Sequence, residues 1–303
     1  MPDATSTRPR PPSPRIPIHD RLSAVADRYD AFLVDLWGVL HDGVHAFPEA
    51  VACLHALRDH DKKIVILSNA PRRAGEVMAR NADLGIDPAL VTAVMSSGED
   101  AWRHLAERPD DWYRALGPRC YHLGPERDQG MRDGLAYTFV DDPAAADFIL
   151  NTGARGGDDT VAHYEDLLRA AQRAGLPMIC ANPDLEVIRG GRREICAGAI
   201  AARYEALGGQ VRYHGKPHPG IYRTCLALLD GVPRGRIAAI GDSLRTDIAG
   251  ANAVGIDALF IADGLQGAAL GVDAEGYPDP TRLAAVCAAE GHVPAAVLPR
   301  LRW

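Results

Sequence analysis

Five side chains with chemical potential stand at the ends of apolar runs. Asp35 follows Ala31-Phe32-Leu33-Val34, and the chain turns at once through Leu36-Trp37-Gly38. Ser68-Asn69 closes Ile64-Val65-Ile66-Leu67, and Lys216 follows His214-Gly215. Asp242 and Asp247 lie in Gly241-Asp242-Ser243-Leu244-Arg245-Thr246-Asp247, directly after Ile237-Ala238-Ala239-Ile240. Short apolar runs of this kind read as buried parallel strands, and such sheets present their ligand sites at the strands' carboxyl ends. Two strands that each deliver a carboxylate there describe a Mg²⁺ site, since that ion takes one or two carboxylates and keeps several waters.

The elements that must carry these residues alternate along the chain. A strand over 31–36 is followed by a helix from Glu49 to Asp61, with Val51, Leu54 and Leu57 on one face. A second strand spans 63–67, and Pro71 suits the first turn of a helix running to about Leu84, with Gly85 as its left-handed cap. Strands near 119–123, 147–151 and 177–181, with helices near 98–107 and 159–174, make a separable block over 88–183. A helix near 196–207, one after Lys216, a strand at 236–240, a helix over 246–254 and a strand at 257–261 return to the first unit. The expected class is α/β: a Rossmann-like, doubly wound parallel sheet core over 21–87 and 184–303, interrupted by an α/β insertion at 88–183. Residues 265–303 are expected to pack helically on that core. Residues 1–20, with six prolines between positions 2 and 17, read as a flexible tail.

Composition narrows the function class. A net charge of −7 and no Lys/Arg run argue against a nucleic-acid surface or an anionic membrane face. No apolar run approaches the ~20 residues needed to span a bilayer, and no apolar stretch follows Arg8, Arg10 and Arg15 to make a secretory signal. The six cysteines have no CxxC pair and sit in apolar stretches, so they read as reduced thiols of a cytoplasmic protein.

The order Asp35, Ser68, Lys216, Asp242/Asp247 resembles the four motifs of the haloacid dehalogenase superfamily, over nearly the whole chain after the tail. The 33 residues from Asp35 to Ser68 are too few for a cap domain, whereas the 148 from Ser68 to Lys216 hold one. That placement resembles the C2-type cap of subclass IIA, the group of NagD-like and pyridoxal phosphatases. Ala181-Asn182-Pro183-Asp184 is similar to that subclass's TNPD signature, and Leu40-His41-Asp42-Gly43 to its continuation of the first motif. The resemblance implies a Mg²⁺-dependent phosphatase acting on a small phosphomonoester. Asp35 would be the nucleophile and would carry the phosphoryl group as an aspartyl-phosphate. Ser68, the Asn69 backbone N–H and Lys216 would hold the phosphoryl group. Asp35, Asp242 and the backbone carbonyl of Trp37 would hold the metal, with Asp247 orienting them. It also implies a homodimer paired through the caps.

Trp37 departs from the pattern, because the family's phosphatases carry an acid/base Asp there. General acid–base catalysis of that kind contributes ~10²–10⁴ in rate, and Trp cannot supply it. Asp42, His41 or His45 could substitute. Two alternatives therefore stand beside the phosphatase: a catalytically impaired relative that binds Mg²⁺ and a phosphorylated ligand, and a dehalogenase-type hydrolase, whose aromatic residue at this position suits a halide that needs no proton. His41, His45, His214 and His218 read as structural or exposed. Gly190-Gly191-Arg192-Arg193 reads as a solvated turn, and Gly153–Gly157 as a loop at the rim of the insertion.

Overall fold

The computed structural model describes residues 16–189 and 192–303. Residues 1–15, most of the expected tail, and the Gly190-Gly191 pair lie outside the described residues.

The chain begins a parallel sheet with β1 (Ala31–Val34), β2 (Lys63–Ser68) and β3 (Ala93–Ser96). It crosses into a second sheet with β4 (Arg119–Leu123), β5 (Thr138–Val140), β6 (Phe148–Asn151) and β7 (Met178–Cys180). An antiparallel hairpin follows, β8 (Glu186–Arg189) with β9 (Arg192–Ile195), and then β10 (Val211–Tyr213). The chain returns through β11 (Ile237–Gly241), β12 (Asp257–Ile261) and β13 (Ala296–Leu298). The core sheet has the order β13-β12-β11-β1-β2-β3, and the second has the order β10-β7-β6-β4-β5. Every pairing in both is parallel.

The apolar runs explain the layers. Along β1, Phe32 and Val34 face one hydrophobic cluster while Ala31 and Leu33 face the other, so helices cover both faces of the core sheet. β2 repeats this with Ile64 and Ile66 against Val65 and Leu67. The second sheet is sandwiched in the same way. Ile149 packs with Leu168, Ile200 and Tyr204, while Phe148 and Leu150 pack with Leu105 and Tyr113.

The expected boundaries move in three places. Residues 93–96, assigned to the insertion, add to the core sheet as β3, paired with β2 from Val65↔Ala93 to Ser68↔Ser96. Residues 197–213, assigned to the core, belong to the second unit: the helix Ala197–Ala206 packs on its sheet, and β10 pairs with β7. The crossings fall after Ser96 and Tyr213 because both short strands fit an existing parallel edge, and neither was marked by a long apolar run. At the C-terminus, the helices Gly267–Leu270 and Pro280–Glu290 lead into an unexpected edge strand, β13. That strand holds part of the expected tail: the Val297 N–H donates to the Pro17 carbonyl at 2.8 Å, and the His19 N–H to the Val297 carbonyl at 2.9 Å. All six cysteines are free and buried. No described helix is long and apolar enough to cross a membrane.

Candidate active site

The carboxyl ends of β1, β2 and β11 meet beneath the second unit, around a cavity of about 330 Å³. Asp35, Ser68, Asn69, Lys216 and Asp242 line it, and all five are buried. Lys216 is the hub. Its Nζ lies 2.7 Å from Asp35 Oδ1 and 2.8 Å from Asp247 Oδ1. An exposed lysine at an ordinary helix start is therefore not what position 216 holds: it is 2% exposed, and the next helix begins at Pro219.

The backbone of this hub is fixed by Asn69. Its Oδ1 accepts from the Lys216 N–H at 2.7 Å, and its Nδ2 donates to the Lys216 carbonyl at 3.1 Å and to Asp184 Oδ1 at 2.9 Å. Gly215 has φ +108°, and a Cβ there would lie 2.5 Å from Asn69 Oδ1, so this approach requires glycine. Ser68 Oγ accepts from the Ala70 N–H at 3.2 Å, which leaves its own proton available. The helix expected to start at Pro71 begins at Ala74 instead. The Glu99 carboxylate fixes that start, accepting from the Ala74 N–H at 3.2 Å and from Arg73 Nε at 2.8 Å. The Asn69 N–H thus sits in an irregular segment rather than at a helix terminus.

Asp35, Asp242 and Asp247 can each offer an oxygen within 4.8 Å of the others. Burial raises the Asp35 pKa, with Lys216 pulling against it. Burial, then repulsion from Asp35 and Asp247, holds Asp242 well above the carboxylate range. Burial also raises Asp247, to about 6, against the pull of Lys216. Burial opposes the Lys216 charge, but Asp247 and Asp35 outweigh it and keep the ammonium protonated. Three buried carboxylates thus share one ammonium, and a hard divalent cation fits this all-oxygen set. Two further features fit it. The Trp37 carbonyl accepts no bond from any described residue, because the loop's hydrogen bonds use the Leu36 and His41 carbonyls. Gly38, at φ +71°, keeps a side chain away from Asp242 Oδ2, which a Cβ would approach to 2.0 Å and which accepts from the Leu265 N–H at 2.7 Å.

The expected substitutes for an acid at position 37 differ in their surroundings, and of the three only Asp42 lines the cavity. Asp42 Oδ1 accepts from the Val44 and His45 N–H groups at 2.8 and 2.7 Å, and these bonds lower its pKa. His41 Nδ1 accepts from the Gly43 N–H at 3.1 Å, and burial holds the ring near pKa 4. His45 is exposed. Trp37 itself lies along the cavity, edge-on to His41 with 5.1 Å between ring centroids. Among the remaining histidines, His214 donates or accepts between Asp100 and Tyr113, and His218 stacks on Tyr213. Arg192 and Arg193 form ion pairs with Asp158 and Glu186 on the exposed hairpin.

Several cavity residues carried no sequence signal of their own. Asp184 was visible only as the last residue of the TNPD-like segment, with no role attached, yet it lines the cavity beside Asn69. Arg72, Arg127 and Arg189 reach the same cavity from three separate segments.

Comparison with known proteins places these features in a family. A haloacid dehalogenase-like hydrolase model matches residues 29–255. The chain is 30% identical over 276 residues to a D-glycerol 3-phosphate phosphatase of Mycobacterium tuberculosis, covering 86% of this chain and 70% of that protein. It is 28% identical to the ribonucleotide monophosphatase NagD of Escherichia coli, covering 77% and 88% respectively. A haloacid dehalogenase-like family hydrolase from Brucella suis superposes with a TM-score of 0.80 at 34% identity, covering 93% of this chain and 99% of that one.

Proposed function

Because the chain belongs to the haloacid dehalogenase-like hydrolases, with NagD among its relatives as the subclass IIA resemblance implies, we propose that it hydrolyses a small phosphomonoester through an aspartyl-phosphate at Asp35. The observation that carries this reading is the bridge from Asp35 through Lys216 to Asp247, next to Asp242. Asp35 attacks phosphorus through a carboxylate oxygen, and the ester oxygen departs with its electron pair. Water then attacks the phosphorus of the acyl phosphate, which releases inorganic phosphate and regenerates the carboxylate. Lys216 balances charge on Asp35 and on the incoming phosphoryl group, and Ser68 donates its free proton to a phosphoryl oxygen. Asp247 holds the Lys216 ammonium and Asn69 holds its backbone. A Mg²⁺ held by Asp35, Asp242 and the Trp37 carbonyl would neutralise the phosphate dianion. The second unit acts as the cap, excluding water from the cavity, and the protein works as a cytoplasmic homodimer paired through it.

Trp37 supplies no acid, and the one described carboxylate of its loop, Asp42, has its Oδ1 held by the Val44 and His45 N–H groups. Substrates whose leaving group needs little protonation are therefore the ones turned over best. The test is phosphate release from a phosphomonoester panel that includes p-nitrophenyl phosphate, with and without Mg²⁺, on wild type and Asp35→Asn. Release that needs both Mg²⁺ and Asp35 is expected. Release that survives Asp35→Asn refutes the mechanism. Trp37 also favours a second reading, a ligand-binding relative without turnover. That protein would gain thermal stability from a phosphorylated ligand and release no phosphate at any enzyme concentration.

A further inference from the structure

The cavity above Asp35 carries a charge pattern that phosphoryl transfer leaves unused. Three guanidinium groups line it, from Arg72, Arg127 and Arg189. Two are tied down. Arg72 Nε donates to Asp128 Oδ1 at 2.9 Å, and Arg189 Nε donates to Glu194 Oε2 at 3.3 Å. The Arg127 side chain makes no hydrogen bond or ion pair with any described residue, and the residue is exposed and lines the cavity. Burial lowers its pKa, and the charge of Asp128 opposes this more than that of Glu194, with Arg189 and Arg72 adding to the lowering; both acids are already paired with those two arginines.

The phosphoryl group has its own partners on the core side, in Ser68 and Lys216. Arg127 belongs to the other side, in the segment after β4, and Arg189 lies beside it on β8. A small substrate lying between the two units would meet Ser68 and Lys216 at one end and Arg127 at the other. The planar fork of arginine matches a carboxylate or a phosphate through two parallel hydrogen bonds. We propose that Arg127 anchors a second anion subsite, so that the preferred substrate is a phosphomonoester bearing a further carboxylate or phosphate at the end remote from the scissile ester. This rests on the hydrolase reading above for the orientation of the substrate. It separates this chain from a relative named for glycerol 3-phosphate, whose glycerol end has no charge.

The test compares two matched pairs of probes. 3-Phosphoglycerate and glycerol 3-phosphate differ by a carboxylate in place of a hydroxymethyl group. 1,3-Propanediol bisphosphate and its monophosphate differ by a second phosphate. Binding is measured by calorimetry with Mg²⁺ on the full chain carrying Asp35→Asn, so that turnover does not interfere, and the two pairs tell a carboxylate subsite from a phosphate one. At least one doubly anionic probe is expected to bind about tenfold tighter than its partner. Adding Arg127→Gln should erase that ratio, and Arg127→Lys should keep part of it, with melting temperatures unchanged in both. Equal affinities within both pairs, no binding of any probe, or a ratio that persists in Arg127→Gln would overturn the subsite. Phosphate release by the wild type without the preference overturns only the subsite. The preference without phosphate release from any substrate overturns only the hydrolase.

Discussion

The guanidinium carbon of Arg189 stands over the Trp37 ring, 5.1 Å from its centroid, so this side chain is held under a cation. Below, the ring rests on Gly43, where a Cβ would lie 2.1 Å from it. Trp37 is therefore packed as a wall of the cavity, and an acid restored at this position would sit under a guanidinium. Trp37→Asp should speed hydrolysis of alkyl phosphates more than of p-nitrophenyl phosphate, whose leaving group is already acidic. The ratio of kcat/KM for glycerol 3-phosphate to that for p-nitrophenyl phosphate is expected to rise about tenfold, a part of the ~10²–10⁴ available to general acid–base catalysis. A ratio that does not move would show that protonation of the leaving group is not what the tryptophan withholds.

Gly38 controls the other side of the same turn. Its φ of +71° lies in the left-handed region, and a Cβ would collide with Asp242 Oδ2 at 2.0 Å. Gly38→Ala should cost ~1–2 kcal/mol for the backbone alone. It should also push Asp242 off its bond from the Leu265 N–H, now 2.7 Å. The expected signature is a loss of Mg²⁺ affinity of tenfold or more in a protein that still unfolds cooperatively. Unchanged Mg²⁺ affinity would mean that Asp242 has no part in holding the metal.

The site's carboxylates predict an unusual pH response for the metal-free protein. Asp247 titrates at about 6 in the folded state against 3.8 ordinarily. Between those values the native state binds more protons than the unfolded chain, so stability falls as pH rises from about 4 to 6. The shift corresponds to ~3 kcal/mol. A divalent cation takes over the protons' role, so saturating Mg²⁺ should flatten this window and raise the melting temperature most above pH 6. Chemical denaturation at pH 4, 5 and 6, with EDTA and with Mg²⁺, checks it. Identical slopes with and without metal would remove the carboxylate cluster as the metal site.

Much of this arrangement was legible in the chain because it is written in local signals. Asp35, Ser68 and Asp242 follow runs such as Ala31–Val34 and Ile237–Ile240, whose residues pack on both faces of a parallel sheet. What was not legible depended on tertiary partners. β3 and β10 are four and three residues long and are defined by the edges that accept them, β2 and β7. The delayed start of the helix at Ala74 comes from a carboxylate 25 residues away in sequence, that of Glu99. Asn69 was read through its backbone N–H, whereas its side chain is the clamp on Lys216, 147 residues downstream. No spacing rule reveals a contact of that range.

Such long-range contact also holds the two units together. Asp128, after β4, is buried with its side chain 2% exposed, and its one ion pair among the described residues is with Arg72, after β2. Burial raises the Asp128 pKa, and the hydrogen bond and charge of Arg72 oppose it. Removing Arg72 takes away the main partner of a buried carboxylate and leaves it the Arg127 charge and the Thr152 hydroxyl. Breaking a fully buried pair costs ~3–5 kcal/mol, and because Arg72 is partly exposed a loss of about 2 kcal/mol is expected for Arg72→Met. Removing the charge from both sides relieves that penalty, so Arg72→Met/Asp128→Asn should be more stable than Arg72→Met alone. A double-mutant cycle in urea should return a coupling of ~1 kcal/mol or more. Because the pair ties the second unit down over Asp35, Arg72→Met should also raise KM more than it lowers kcat for p-nitrophenyl phosphate. Additive stability losses, with KM unchanged, would show that the two units are held in register by apolar packing alone.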